Sequence, residues 1–145
     1  MLRQLLVGAV VSISNIAIHG LVMATVVQIS SRIGSAKGAL LQSPRLIIVT
    51  IAIGSIATVP VLMAAHILEV LVWSLAYAIV GAAPASADPV YFAFVNYTTL
   101  GYGDVIPVER WRLLGPMTAM NGVLMFGWST AVIFEVLRRT SGRHD

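Results

Sequence analysis

The chain has 145 residues, a formal net charge of +3 and no cysteine; 58% of its residues are hydrophobic and 10% are charged. Soluble domains carry about 25% charged residues, so this composition excludes a disordered chain and a nucleic-acid-binding module and argues against a soluble enzyme. The absence of cysteine excludes a small disulfide scaffold, which leaves an integral membrane protein.

The first apolar run extends from Gln4 to Ile29 and contains no charged residue. At about 1.5 Å per residue, a helix of this length exceeds the roughly 30 Å thickness of a bilayer core. A signal peptide is the alternative because Arg3 gives the chain a basic start, but the apolar region of such a peptide is only about 7 to 15 residues long. The run therefore predicts an uncleaved transmembrane helix, and a polar loop is expected over residues 30–45.

A second apolar run covers Leu46–Gly81 and is longer than one membrane crossing needs. Pro60 lies inside it and predicts a kink or a break near Val59, because proline removes a helical hydrogen bond. The crossing segment is predicted over residues 57–81.

A half-length helix is predicted next. Asp88 directly precedes Pro89, which is the pattern of an acidic N-cap followed by proline at the first helical position. The expected helix over Pro89–Thr98 is long enough for about half a bilayer, and a third apolar run follows over Leu113–Leu137. Non-helical backbone at membrane depth persists only when it is buried in protein or lines a water-filled path. This order of segments indicates a re-entrant loop at a pore or transport site.

Residues 98–104 read Thr-Thr-Leu-Gly-Tyr-Gly-Asp and directly follow the half-length helix. This segment resembles the selectivity filter of the potassium-channel pore-domain family, in a small prokaryotic form with one extra N-terminal span. A dehydrated K⁺ ion needs oxygen atoms in place of its water shell, so successive carbonyls must point toward one axis. Gly101 and Gly103 tolerate the positive φ values that such a backbone requires.

The resemblance implies a K⁺ site made mainly of backbone oxygens, with the Thr99 hydroxyl added at the inner mouth. Leu100 and Tyr102 are expected to point away from the axis and to pack against the short helix, and Asp104 is expected at the outer mouth. The K⁺-coordinating residues are expected to be Thr99, Leu100, Gly101, Tyr102 and Gly103, with K⁺ bound at the first four.

One position departs from some members of the family. Where those relatives carry a carboxylate on the pore helix, this chain has Val95, so a carboxylate pair with Asp104 is missing. Voltage-gated relatives use an aromatic donor nearer the start of the helix, and Tyr91 falls at that place. A hydrogen bond from Tyr91 to Asp104 is therefore expected to support the filter, together with Thr98.

The third apolar run also resembles the family, in its inner helix, over residues 111–131 (WRLLGPMTAMNGVLMFGWSTA). The resemblance implies a hinge at Gly122 and Gly127, although small residues at these places also permit close helix packing. The same match predicts that three residues line a water-filled cavity: Val123, Phe126 and Thr130. The similarity covers about residues 60–138.

Three ionisable residues lie inside the predicted spans, where such groups are costly and are functional candidates. Counted along antiparallel helices, the depths of His19, His66 and Glu69 agree to within about one helical turn. A contact of Glu69 with either histidine is therefore predicted. It is either a static polar clasp or a proton sensor, because histidine changes charge near neutral pH.

Basic residues predict the orientation of the chain. If residues 82–112 lie outside, six lysine and arginine residues fall on the cytoplasmic side and three outside, in agreement with the positive-inside rule. The chain is thus expected to be a multi-pass protein of the cell membrane with its N-terminus outside and its C-terminus in the cytoplasm.

One chain supplies one filter strand, so a ring of carbonyls predicts a homotetramer. The expected fold is an all-α membrane protein with three transmembrane helices, a re-entrant pore helix and a filter loop. It divides into an N-terminal transmembrane helix with its cytoplasmic loop, residues 1–45, and a pore domain, residues 46–145.

The predicted function is passive, K⁺-selective conduction through the tetrameric pore, with no enzymatic reaction. The expected partners are further copies of the chain, membrane lipids and K⁺ as the permeant ion; no cofactor, nucleic acid or soluble partner is expected. A weakly selective cation channel and a non-conducting membrane subunit that assembles with other channel chains are the alternatives.

Overall fold

The computed structural model describes residues 1–37 and 44–140. Four α-helices occur in this part of the chain: α1 (Leu2–Lys37), α2 (Pro44–Val80), α3 (Pro89–Tyr97) and α4 (Leu114–Thr140), with a short 3-10 helix at Glu109–Trp111. Three stretches are long and apolar enough to cross a membrane: Leu2–Arg32, Ile56–Val80 and Glu109–Arg138. The predicted all-α fold with three spans is confirmed.

Large apolar side chains are exposed along all three long helices. Leu6 is 58% exposed on α1, Ile79 is 75% exposed on α2 and Phe134 is 67% exposed on α4. Exposed apolar surface of this extent would promote aggregation in water, whereas in a bilayer it contacts lipid. The exposure pattern is therefore the one expected of membrane-spanning helices.

The polar loop predicted over residues 30–45 is wrong at both of its ends. Helix α1 continues to Lys37, and α2 already begins at Pro44. The Ser30 hydroxyl donates a hydrogen bond to the carbonyl oxygen of Val26, one helical turn earlier, at 2.9 Å. Because a serine can satisfy its hydroxyl in this way, polar residues do not by themselves end a helix.

Helix α2 is uninterrupted at Pro60, so of the kink or break expected near Val59 the break does not occur, and the kink stays a prediction. A membrane-spanning helix tolerates an internal proline because neighbouring helices and small local adjustments can satisfy the freed carbonyl group.

Helix α3 begins and ends close to where the sequence predicts. The Asp88 side chain accepts a hydrogen bond from the backbone N–H of Val90 at 2.8 Å, with proline at the first helical position. At the other end Thr98 caps the helix, and its hydroxyl donates to the Phe94 carbonyl oxygen at 2.7 Å. With 9 residues, α3 spans about 14 Å, which is half a bilayer core.

The chain forms two compact units. The first contains Met1–His19 and His66–Phe126 and holds the larger core. Helix α3 packs into this core, where Tyr77 lies between two aromatic neighbours, with its ring centroid 5.8 Å from that of Trp73 and 4.9 Å from that of Phe92. All three side chains are fully buried, so α3 is held by aromatic packing against α2.

The second unit contains Gly20–Ala65 and Gly127–Asp145. Its core is a smaller aliphatic cluster formed by five buried residues: Met23, Val26, Leu62, Val132 and Val136. The predicted division of the chain at residue 45 stays a prediction.

Candidate pore loop and buried ionisable cluster

The loop after α3 has an alternating backbone conformation. Thr99, Gly101 and Gly103 have φ values of 59°, 57° and 81°, in the left-handed region. In an extended chain of L-residues successive carbonyls point to opposite sides, and a left-handed residue at every second position allows them to point to the same side. The two glycines adopt the conformation predicted for them, whereas the sequence gives no signal for Thr99, a β-branched residue for which this region is strained.

Hydrogen bonds attach the start of the loop to the end of α3. The backbone N–H groups of Leu100 and Gly101 both donate to the Val95 carbonyl oxygen, at 3.0 and 3.4 Å, and that of Thr99 donates to the Asn96 carbonyl oxygen at 3.0 Å. The last carbonyls of a helix need such partners. The loop therefore turns back on the helix end and does not swing freely from it.

The side chains of the loop are exposed in the single chain. Leu100 is 52% exposed and Tyr102 is 69% exposed. The expected packing of these two side chains against the short helix stays a prediction.

At the far end of the loop, the Tyr91 hydroxyl donates a hydrogen bond to Asp104 Oδ2 at 2.7 Å. This contact is the one expected from the sequence, and it connects the start of α3 to the end of the loop. The hydrogen bond to the Asp104 carboxylate raises the pKa of Tyr91 above its ordinary value, because ionisation of the phenol would remove the donor and place two negative charges together. Its role in supporting a filter stays a prediction.

Removal of this hydrogen bond by Tyr91→Phe is expected to lower the stability of the protein at neutral pH, because the loop loses a restraint at its outer end. The raised pKa gives the sign of the pH dependence: the restraint is complete below the ordinary pKa of tyrosine, near 10, and is lost as pH rises through the raised value. Thermal unfolding in detergent should thus show a difference between wild type and variant at pH 7 that narrows at strongly alkaline pH. Equal unfolding temperatures at pH 7 would contradict the supporting role.

The two glycines of α4 have different surroundings. A Cβ atom added at Gly122 would overlap the backbone carbonyl oxygen of Tyr97, at the end of α3. At Gly127, no described residue outside the local helix backbone lies within 4 Å of such an atom. Close packing is therefore sufficient to explain a glycine at position 122. The hinge role of both glycines stays a prediction.

The residues expected to line a cavity follow on the same helix. Val123 is 56% exposed, Phe126 is 37% exposed, and Thr130 is also exposed. The Phe126 ring also packs within its own chain, with its centroid 4.6 Å from that of His66 and 5.4 Å from that of Tyr97. The place of the three residues in a cavity stays a prediction.

The three ionisable residues of the spans meet in one buried cluster around the Glu69 carboxylate. His19 Nδ1 lies 2.6 Å from Glu69 Oε1, and His66 Nδ1 lies 3.3 Å from Oε2. The predicted contact is confirmed for both histidines. Tyr97, the last residue of α3, donates its hydroxyl hydrogen bond to Glu69 Oε2 and lies 3.0 Å from His66 Nδ1. The proton-sensor role stays a prediction.

A second polar network lies beside this cluster and was not predicted as a unit. Asn15 Nδ2 donates to Asn121 Oδ1 at 3.0 Å and to the Glu69 backbone carbonyl at 3.3 Å. Trp73 Nε1 donates to the same Asn121 oxygen at 3.0 Å. The available signal was a pair of asparagines in apolar runs, because amide side chains bridge helices in membranes.

The comparisons with known proteins agree with these structural features. A family model described as "Ion channel" matches residues 65–139, about half of the chain, which include α3, the loop and nearly all of α4. The chain therefore belongs to this ion-channel family and, with its three apolar helices, is a multi-pass membrane protein. Neither the curated proteins nor the solved structures give a match.

Proposed function

We propose that the chain forms a K⁺-selective channel whose filter is the segment 98–104. The observation that carries the proposal is the left-handed backbone at Thr99, Gly101 and Gly103 in a loop that directly follows a half-length helix. A K⁺ ion without its water shell is stabilised by a column of carbonyl oxygens, and this alternation lets one short strand present such a column. Thr99, Leu100, Gly101 and Tyr102 would then supply the oxygens for the ion.

A homotetramer is the proposed functional unit. One strand surrounds only part of an ion, so a closed ring of carbonyls requires several copies around a symmetry axis. The exposed side chains of Leu100 and Tyr102, which their own chain does not bury, support this assembly because neighbouring copies can cover them. The proposed orientation places residues 82–112 outside the cell, with the N-terminus outside and the C-terminus in the cytoplasm.

Flux measurements on the purified chain in lipid vesicles test the proposal. K⁺ or Tl⁺ flux far above Na⁺ flux, blocked by Ba²⁺, is the expected result. Equal K⁺ and Na⁺ flux would instead establish a weakly selective cation channel. No flux from vesicles that contain a stable tetramer would establish a non-conducting subunit. Cross-linking of the vesicle preparation gives the number of chains and separates failure of assembly from failure of conduction.

A further inference from the structure

The buried cluster contains the side-chain types of a transition-metal site. His19, His66 and Glu69 each offer one ligand atom, and these atoms all lie within 4.8 Å of one another. They come from two helices, because His19 is on α1 and the other two lie on successive turns of α2. Two imidazoles and one carboxylate form the ligand set of many zinc sites that keep a further coordination position.

The ligand atoms lie within reach of one small ion. Zinc lies about 2.0 to 2.2 Å from nitrogen and oxygen ligands, so neighbouring ligand atoms of a tetrahedral site are about 3.3 to 3.5 Å apart. His66 Nδ1 lies 3.3 Å from Glu69 Oε2, and His19 Nδ1 lies 2.6 Å from the other carboxylate oxygen, Oε1. The two histidines thus contact different oxygens, and binding of one ion requires the side chains to turn so that one atom of each residue faces it.

Burial favours an ion at this place. Glu69 and His19 are fully buried, and His66 is 14% exposed. A carboxylate buried inside a membrane span needs a compensating positive charge, and a divalent cation supplies it. The hydroxyl of Tyr97 donates a hydrogen bond to the Glu69 carboxylate and so helps to hold its orientation.

We propose that His19, His66 and Glu69 form a binding site for a divalent transition-metal ion of the zinc class, one per chain, that joins α1 to α2 beside the end of the pore helix. None of the three ligands belongs to the proposed filter segment 98–104. Metal binding and K⁺ conduction are measured by different experiments, so failure of one proposal is distinguishable from failure of the other.

The test uses the full chain, purified in detergent with an affinity tag that contains no histidine and stripped of metal with a chelator. Titration with Co²⁺ is expected to give the intense visible absorption of a tetrahedral site, to saturate at one ion per chain and to be reversed by Zn²⁺. This measurement needs no variant. Absence of the tetrahedral spectrum from the stripped wild-type chain would overturn the proposal and leave the cluster as a hydrogen-bonded clasp.

Variants assign the ligands. Glu69→Gln and His19→Asn are each expected to lower Zn²⁺ affinity, measured by calorimetry, by more than about a hundredfold. Loss of a residue that only supports a ligand lowers metal affinity by about 10 to 100-fold, so a larger loss identifies a ligand. His144→Asn is the matched control because it removes the third histidine of the sequence, and it should leave the affinity unchanged. Wild-type affinity in a folded Glu69→Gln chain, or an equal loss in His144→Asn, would refute the site.

Discussion

Replacement of Gly101 or Gly103 by alanine is expected to abolish selective K⁺ conduction. The two glycines have φ values of 57° and 81°, a region that costs an alanine about 1 to 2 kcal/mol. In the proposed homotetramer the cost would recur in every subunit and reach about 4 to 8 kcal/mol, which is enough to turn carbonyl groups of the loop away from the proposed ion path. Space is not the obstacle, because among the described residues nothing lies within 4 Å of a Cβ added at Gly103.

Gly81 provides the matched control for this experiment. It also has a positive φ, 64°, but lies in the turn after α2, outside the filter segment. Gly81→Ala should therefore lower stability by a similar amount for each chain and yet keep the selectivity for K⁺ over Na⁺. Recordings in planar bilayers measure both properties. Selective K⁺ currents from Gly101→Ala and Gly103→Ala channels would show that the filter lies elsewhere.

The second large effect is expected at Gly122. A methyl group there would overlap the carbonyl oxygen of Tyr97, which is backbone and cannot move aside as a flexible side chain can. Overpacking in a well-packed core costs about 1 to 3 kcal/mol, and a backbone obstacle places Gly122→Ala at the upper end. Because Tyr97 immediately precedes the loop, we expect loss of conduction together with a lower unfolding temperature in detergent.

Gly127→Ala separates packing from hinge motion. Among the described residues nothing lies within 4 Å of the added methyl group, and alanine is favoured over glycine in a helix by about 1 kcal/mol. If packing alone matters, this variant should conduct normally and unfold at an equal or higher temperature. A Gly127→Ala channel that is stable but opens rarely would instead support a hinge at this position. A Gly122→Ala channel with wild-type stability and current would contradict the packing role of that glycine.

The sequence predicts the helices well because their signals are local. The apolar runs, and the pair of Asp88 and Pro89, identify three spans and one half-length helix whose start is correct to the residue. The predicted ends of the loop at residues 30 and 45 were wrong. A polar composition is typical of a loop, but the hydroxyl of a serine such as Ser30 can also donate a hydrogen bond to a carbonyl of its own helix. Composition does not distinguish these two cases.

The buried cluster shows a different limit. Depth along a helix follows from counting residues, so the meeting of His19, His66 and Glu69 was predictable. The rotation of each helix about its own axis depends on the packing of all its neighbours, and this rotation is what brings Tyr97 to the Glu69 carboxylate. For the same reason the partners of Asn121 became known only from the structure.

The left-handed backbone of the loop bears on how such a channel can change over evolutionary time. Every amino acid carries a carbonyl group, so no substitution can delete a main-chain ligand; it can only turn that ligand away. In the proposed filter, selection at Gly101 and Gly103 would therefore act on conformational preference, because these residues offer only backbone groups as ligands. In the proposed filter, Leu100 could be replaced by residues of quite different side-chain chemistry while its carbonyl oxygen is kept. Gly101 and Gly103 could not be replaced in this way, because their positive φ values disfavour residues with a Cβ atom.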